Sequence, residues 1–298
     1  MSRSEPRTSP SREMWVCHLG LAAYRDGLAM QQQLRERRQA GAIPDTLLLL
    51  EHPPTYTRGR RAGAGELALG ESFYRERGIE VHDTDRGGRV TYHAPGQLVG
   101  YPILAIDDVG RHLRTMERAL VDALAQIGID AHSRAHDGPD YTGVWVGDPR
   151  AGRQRKIASI GVHVARGVTT HGFAVNVSND LRPFTWVIAC GLPDVEMTSV
   201  ARELAPAAVT PGFRAGDGAG GGRDDGARTA AGACARGERE SLACFRKRVA
   251  HAFCAAHARR QRLVSPHRLG IDTANAAPRA QRAPINTNST TEMEPIPA

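Results

Sequence analysis

Lysine is almost missing from this chain of 298 residues: of 39 basic residues only two, Lys156 and Lys247, are lysine. Arginine therefore serves wherever any cation will do, and a lysine that remains is a candidate for a task arginine cannot perform. Arginine holds its protons too tightly to exchange them near neutral pH, whereas a lysine in suitable surroundings takes and returns one. Lys247 stands in Phe245-Arg-Lys-Arg248 on an expected helix and reads as part of a solvated face. Lys156, taken alone beside Arg153 and Arg155, reads as part of a solvated basic patch, or as the one cation kept for its chemistry.

Long apolar runs are also missing. The longest strictly aliphatic stretch, Leu47-Leu-Leu-Leu50, falls far short of the ~20 residues needed to span a bilayer. The opening MSRSEPRTSPSREM holds no apolar segment that would act as a secretory signal. Cytoplasmic residence away from the membrane is the expectation. Cysteine is sparse: the five (positions 17, 190, 234, 244 and 254) form no CxxC pair, and an odd number suits reduced thiols better than a disulfide framework. The last three recur every ten residues, which on a helix is about 1000° of rotation, so they do not share a face and no metal site is expected. Aromatics make up 5% of the chain, so its 41% hydrophobic content implies a mostly aliphatic core. Acidic residues fall short of basic ones by enough to leave a net charge of +7, which attracts acidic partners. The arginines are spread along the chain without a nucleic-acid motif, which favours an acidic protein over nucleic acid.

The patterns that are present describe one α+β domain. Residues 1–13 read as a disordered leader. Leu21, Tyr24, Leu28 and Leu34 predict an amphipathic helix over about 20–40, closed by Gly41. Residues 46–51 read as a buried strand stopped by Pro53 and Pro54. Leu113, Met116, Leu120, Leu124 and Ile127 recur at steps of three and four, a helix ending near Gly128. Ile160, Val162 and Val164 alternate, Arg166-Gly167 supplies a turn, and Phe173, Val175 and Val177 alternate on the return: a hairpin with one apolar face and Lys156 at its mouth. Residues 206–236, rich in Gly, Ala, Arg and Asp, read as a flexible insert. A helix is expected near 238–260 and a disordered tail over 263–298. Strands mixed with helices without a regular βαβ period predict a mixed sheet flanked by helices over 14–262.

Two segments carry possible chemistry. Arg86-Gly-Gly-Arg-Val-Thr-Tyr-His-Ala-Pro-Gly-Gln97 sets a glycine pair before hydroxyl, imidazole and amide groups. Glycines let backbone approach a ligand closely; the plainer alternative is a strand entered through a turn. Phe184-Thr-Trp-Val-Ile-Ala-Cys-Gly-Leu-Pro-Asp194 ends an apolar run in Cys190 and then breaks at Gly191 and Pro193. Alone, Cys190 suits a buried thiol as well as a nucleophile. His93 and His171 read equally as satisfied core histidines or as pocket groups.

The run Arg86–Pro102 resembles the signature of the lipoyl(octanoyl) transferases, within the biotin/lipoate protein ligase superfamily. So do Glu51-His-Pro-Pro54 with Thr57-Arg-Gly-Arg-Arg61, Lys156-Ile-Ala-Ser-Ile-Gly161, His171-Gly-Phe-Ala-Val-Asn-Val177 and Cys190-Gly-Leu192, in the same order over about 15–204. The insert and the long tail fall outside that pattern. The resemblance implies transfer of an octanoyl group from octanoyl-acyl carrier protein to a lysine of lipoyl domains. The acceptors it implies are 2-oxoacid dehydrogenases and the glycine-cleavage H protein. It implies Cys190 as the acyl-carrying thiol and Lys156 as its partner, with no cofactor. It also implies an acyl pocket at Arg86, Gly87, Gly88, Arg89, Val90, Thr91, Tyr92 and His93, at Ser159, Ile160 and Gly161, and at Gly172, Phe173 and Ala174. Backbone amides near Gly87, Gly88 or Gly161 are candidates for an oxyanion hole. Two rivals remain at this point: an ATP-dependent lipoate or biotin ligase on the same fold, and a non-catalytic acyl-binding regulator.

Overall fold

The computed structural model describes residues 12–150, 152, 154–192, 195–205 and 241–271. In chain order these form β1 (Glu13–Leu21), α1 (Tyr24–Gln39), β2 (Thr46–Glu51), β3 (Thr55–Arg58), α2 (Gly70–Glu76), β4 (Glu80–Asp83), β5 (Val90–His93) and β6 (Gln97–Ile103). Then come α3 (Val109–Ala125), β7 (Ala131–Ser133), β8 (Gly143–Val146), β9 (Arg155–Ala165), β10 (Val168–Asn176), β11 (Glu196–Met197), α4 (Val200–Glu203), α5 (Leu242–Ala256) and β12 (Arg260–Leu263). The large sheet runs β12-β1-β2-β6-β10-β9-β8-β7, with β11 joining beside β9, and a second sheet runs β4-β3-β5. Pairings β1–β12, β1–β2, β9–β11 and β3–β4 are parallel and the rest antiparallel, so both sheets are mixed as expected.

Alternation along the central strands sorts the core onto the two faces of the large sheet. Met14, Val16, Leu47 and Leu49 pack with α3 and α5 on one face. Trp15, Cys17, Leu19, Leu48 and Leu50 pack with Met30 and Leu34 of α1 on the other. A strand buried on both faces loses its polar/apolar alternation, which is why β1 is silent in sequence. It is also why the helix expected from about residue 20 begins only at Tyr24. The same reason corrects the hairpin: β9 and β10 pair across Arg166-Gly167 as expected, but β10 is buried along its whole length rather than on one face.

Two boundary expectations are corrected. Glu13, placed in the leader, opens β1 and pairs with Arg260. The tail expected from residue 263 does not begin there, because Leu263 pairs with Val16, and Leu269 and Ile271 are buried beneath α1. The polar residues between them hid two apolar anchors. The expected flexible insert over 206–236 lies outside the described residues.

The second sheet matters for the site. Tyr56, Tyr74, Tyr92 and Phe184 form an aromatic cluster on it, and Val187 and Ala189 rest against the same cluster. The segment carrying Cys190 therefore lies on the small sheet, while Lys156 belongs to the large one.

Candidate active site

Lys156 reaches the site because β9 is irregular. Trp145 pairs with Lys156 and Val144 with Ala158, so the register of β8 on β9 skips Ile157. Such a bulge places one extra residue on a strand and re-aims the side chains beyond it. Without it, Lys156 would share the face of Ala158 and point into the core; with it, Lys156 shares the face of Ser159. Both then point at Cys190: Lys156 Nζ lies 3.3 Å from Sγ and Ser159 Oγ 3.9 Å from it. Lys156 is 1% exposed, which removes the solvated-patch reading. Its ammonium lies 5.1 Å from the centre of the Trp145 ring, a cation–π contact of about 1 kcal/mol. Its stem runs past Gly143, where a Cβ would come within 2.7 Å of Lys156 Cε and 2.4 Å of the Ala158 carbonyl oxygen. Gly143 also has φ +142°, so glycine is required there on both counts.

Cys190 arrives on a single tight turn, Ala189–Gly191. The residue adopts φ 58°, the left-handed region that costs a non-glycine residue about 1 kcal/mol or more. Gly191 follows at φ 70°, and Arg89 crosses its open face. The thiol is half-buried, unlike Cys17 and Cys254, which are buried and pushed up to about 11 and about 12 by desolvation.

The pair opens into a cavity of about 270 Å³. Its wall includes Arg86, Gly87, Gly88, Arg89, Val90, Thr91 and His93 from the glycine-pair segment, with Ser159, Ile160, Gly161, Gly172, Phe173 and Ala174 from β9 and β10. Tyr92 is the exception and a correction. It alternates with Thr91 and His93 on β5 and so faces the aromatic cluster of the small sheet instead of the cavity. Arg86 is a buried cation whose pKa burial lowers, held by the Thr57 carbonyl and hydroxyl and by the Gly87 carbonyl. The Gly87 amide donates to the Val162 carbonyl at 2.9 Å, which takes it out of the set of oxyanion donors.

The two imidazoles lining the cavity are each held by a hydrogen bond. His93 Nδ1 pairs with Gln97 Oε1 at 2.8 Å, and burial pushes its pKa down to about 3. His171 pairs through Nε2 with Asp85 at 2.7 Å. That contact holds Asp85 down at about 2, while burial keeps His171 below the ordinary imidazole value despite the carboxylate. A neutral His171 ring donating to the Asp85 carboxylate satisfies both.

A lysine and a cysteine in contact, at the end of a largely apolar cavity, is an arrangement suited to holding an acyl group as a thioester. The model of the lipoyl protein ligase A/B catalytic domain matches residues 23–213. The chain belongs to this lipoyl protein ligase A/B family. It is 43% identical over 200 residues to an octanoyltransferase of Acidobacterium capsulatum, covering 63% of this chain and 80% of that one. It is 47% identical over 189 residues to an octanoyltransferase of Rubrobacter xylanophilus, covering 62% and 81%. Among solved structures, a lipoate-protein ligase A bound with ATP superposes with a TM-score of 0.61 at 17% identity, covering 85% of this chain and 89% of that one, a likeness of fold.

For this member of the lipoyl protein ligase A/B family, several cavity residues carry no motif. Tyr24, Val109, Leu113, Pro139, Asp140 and Thr142 join Val99 and Tyr101, from the end of the signature run, in completing the wall from elements far apart in sequence. Gly143 and Trp145, which shape the lysine's surroundings, had one available signal: a glycine and a tryptophan bracketing a β-branched residue just before the lone lysine segment. Glu66, buried in the turn Ala64–Leu67 and bonded to Arg89, had none.

Proposed function

We propose that this protein moves an octanoyl group from octanoyl-acyl carrier protein onto a lysine amine of lipoyl domains, through a thioester on Cys190. The acceptors are the lipoyl domains of 2-oxoacid dehydrogenases and the glycine-cleavage H protein, and the reaction runs in the cytoplasm. The observation that carries the reading is the 3.3 Å contact of Lys156 Nζ with Cys190 Sγ at the wall of the cavity.

The chemistry balances around that pair. In this reading the cycle starts from a Cys190 thiolate beside a Lys156 ammonium. The Cys190 thiolate attacks the donor thioester carbonyl, the S–C bond to the carrier breaks, and the departing thiolate takes a proton from Lys156. The enzyme then holds an octanoyl thioester beside a neutral lysine. The acceptor amine attacks that carbonyl and Lys156 Nζ takes its proton. Collapse of the tetrahedral intermediate expels the Cys190 thiolate, which restores the thiolate–ammonium pair. Arginine would stabilise the thiolate but not return the proton. The buried stem of Lys156 and its tryptophan neighbour keep the amine close through both halves.

The test is to mix the protein with octanoyl-carrier protein and a lipoyl domain without ATP and weigh the acceptor. The reading expects a mass gain of about 126 Da on the acceptor, octanoyl replacing hydrogen. A gain that appears only with free octanoate or lipoate plus ATP would assign the ligase chemistry instead, and no gain with either donor would assign a binding role.

A further inference from the structure

Two carboxylates, Glu66 and Glu117, are nearly fully buried at 5% and 1% exposure, and neither lines the cavity. Each touches the frame around one member of the pair.

Glu66 holds the cysteine side. Its Oε1 accepts from Arg89 Nη1 at 2.7 Å and from the Gly63 amide at 3.0 Å, and its Oε2 accepts from the Val90 amide at 3.1 Å. Its backbone carbonyl accepts from the Ile188 amide at 3.1 Å. Arg89, fixed by that carboxylate, lies over Gly191 so closely that a Cβ there would sit 2.0 Å from Arg89 Cδ. One residue thus grips the chain two positions before Cys190 and, through Arg89, one position after it. Between the grips Cys190 keeps φ 58°, a conformation that persists only where surroundings enforce it.

Glu117 holds the lysine side. From α3 its Oε1 accepts from the Gly143 amide at 2.9 Å and its Oε2 from Ser133 Oγ at 2.5 Å, with Arg114 Nη1 at 2.9 Å as counter-charge. Gly143 is the backbone against which the Lys156 stem lies. The carboxylate therefore fixes the wall that limits where the lysine can go.

We propose that Glu66 and Glu117 are positioning residues that together set the Lys156–Cys190 contact, Glu66 from the turn Ala64–Leu67 and Glu117 from α3. Their effect on turnover rests on the acyl-transfer reading above; their effect on the thiol does not. A carboxylate that merely satisfied buried amides would matter for stability alike with or without Lys156. A carboxylate that acts through the contact matters to the thiol only while Lys156 is there.

The experiment measures the rate at which iodoacetamide alkylates Cys190, followed by peptide mapping over a range of pH, with no acyl substrate present. Glu66→Gln and Glu117→Gln keep the side-chain volume and lose the charge and one acceptor. Each is expected to slow Cys190 alkylation near neutral pH by about tenfold, and Arg89→Met, which leaves Glu66 in place, by a similar factor. In a Lys156→Met background the same substitutions should slow it by less than about twofold, because the contact is already gone. Equal losses in both backgrounds, or wild-type rates in the single variants, would overturn the proposal. If a glutamine variant fails to fold, Arg89→Met in the two backgrounds decides the cysteine side. Gly143→Ala in the same two backgrounds decides the lysine side. A wild-type protein that shows the alkylation pattern but transfers no octanoyl group would support the positioning and remove the transfer reading.

Discussion

The two halves of the reactive pair are built in opposite ways. Lys156 sits inside the large sheet, its strand bonded to β8 and β10 and its carbonyl capped by the Thr198 amide, with its side chain enclosed. Cys190 sits on one turn, half-buried, beside Ile188, which exposes 37% of its surface. The lysine's place is over-determined by sheet register, and the cysteine's by a few side-chain and backbone grips. The group that, in the proposed reaction, holds a proton across two chemical steps is fixed in the rigid element. The group that, in the proposed reaction, accepts a carrier-bound acyl chain from outside stands where the surface begins. Substitutions on the lysine side should therefore act through geometry and proton transfer. Those on the cysteine side should act through the hold on a strained turn.

Lys156→Arg should break the comparison most severely. It keeps the charge but not the exchangeable proton, so steady-state transfer should fall by about 10²–10⁴. Near-normal turnover in that variant, measured by acceptor mass, would remove the proton-transfer role. Gly143→Ala comes next. Its Cβ meets backbone at Ala158 as well as the lysine stem, and φ +142° is unfavourable for alanine. A loss of about 2–3 kcal/mol in urea unfolding is expected, together with slower Cys190 alkylation. Unchanged alkylation would show that Lys156 is not held by that wall.

Gly191→Ala should be milder in stability. The atom it meets is the stem of Arg89, which can shift, and φ 70° costs alanine about 1 kcal/mol. Alkylation of Cys190 should change more than the urea midpoint does. If both change in proportion, the turn is no more than a structural link.

The remaining prediction concerns pH dependence and leaves the reactive pair untouched. His52, His93 and His112 are buried, and desolvation lowers them to about 4, about 3 and about 4. Folded values below the unfolded one mean the unfolded chain takes up protons first as pH falls. Their contribution is whole above about pH 6.5 and lost as pH drops toward about 4. Each should lose about 2 kcal/mol between about pH 7.5 and pH 5. Urea midpoints across that range should fall, and His52→Gln should flatten the slope. A flat profile in the unsubstituted protein would contradict the neutral, buried state of these rings.

Much of the fold and site was legible in sequence, and the exceptions share a cause. The scarcity of lysine singled out Lys156, and the glycine-pair segment and the β9–β10 hairpin were readable from composition and alternation. The bulge at Ile157 was not, because a run of Lys-Ile-Ala-Ser carries no mark of which residue is skipped by its neighbour. Tyr92 shares a segment with the cavity residues, whereas strand alternation sends its side chain to the other face. Glu66 and Glu117 look like ordinary surface carboxylates until the fold buries them, because the Val90 and Gly143 amides that they bind lie far away in the chain. Leu269 and Ile271 were lost among polar neighbours for the same reason: a lone apolar residue shows its role only through what covers it.

The most direct measurement is intact mass and peptide mapping after brief mixing with octanoyl-carrier protein, with neither ATP nor acceptor present. The account expects one adduct of about 126 Da per chain, located on Cys190 and absent from Cys190→Ser. An adduct on another residue, or none while transfer to a lipoyl domain still proceeds, would contradict it.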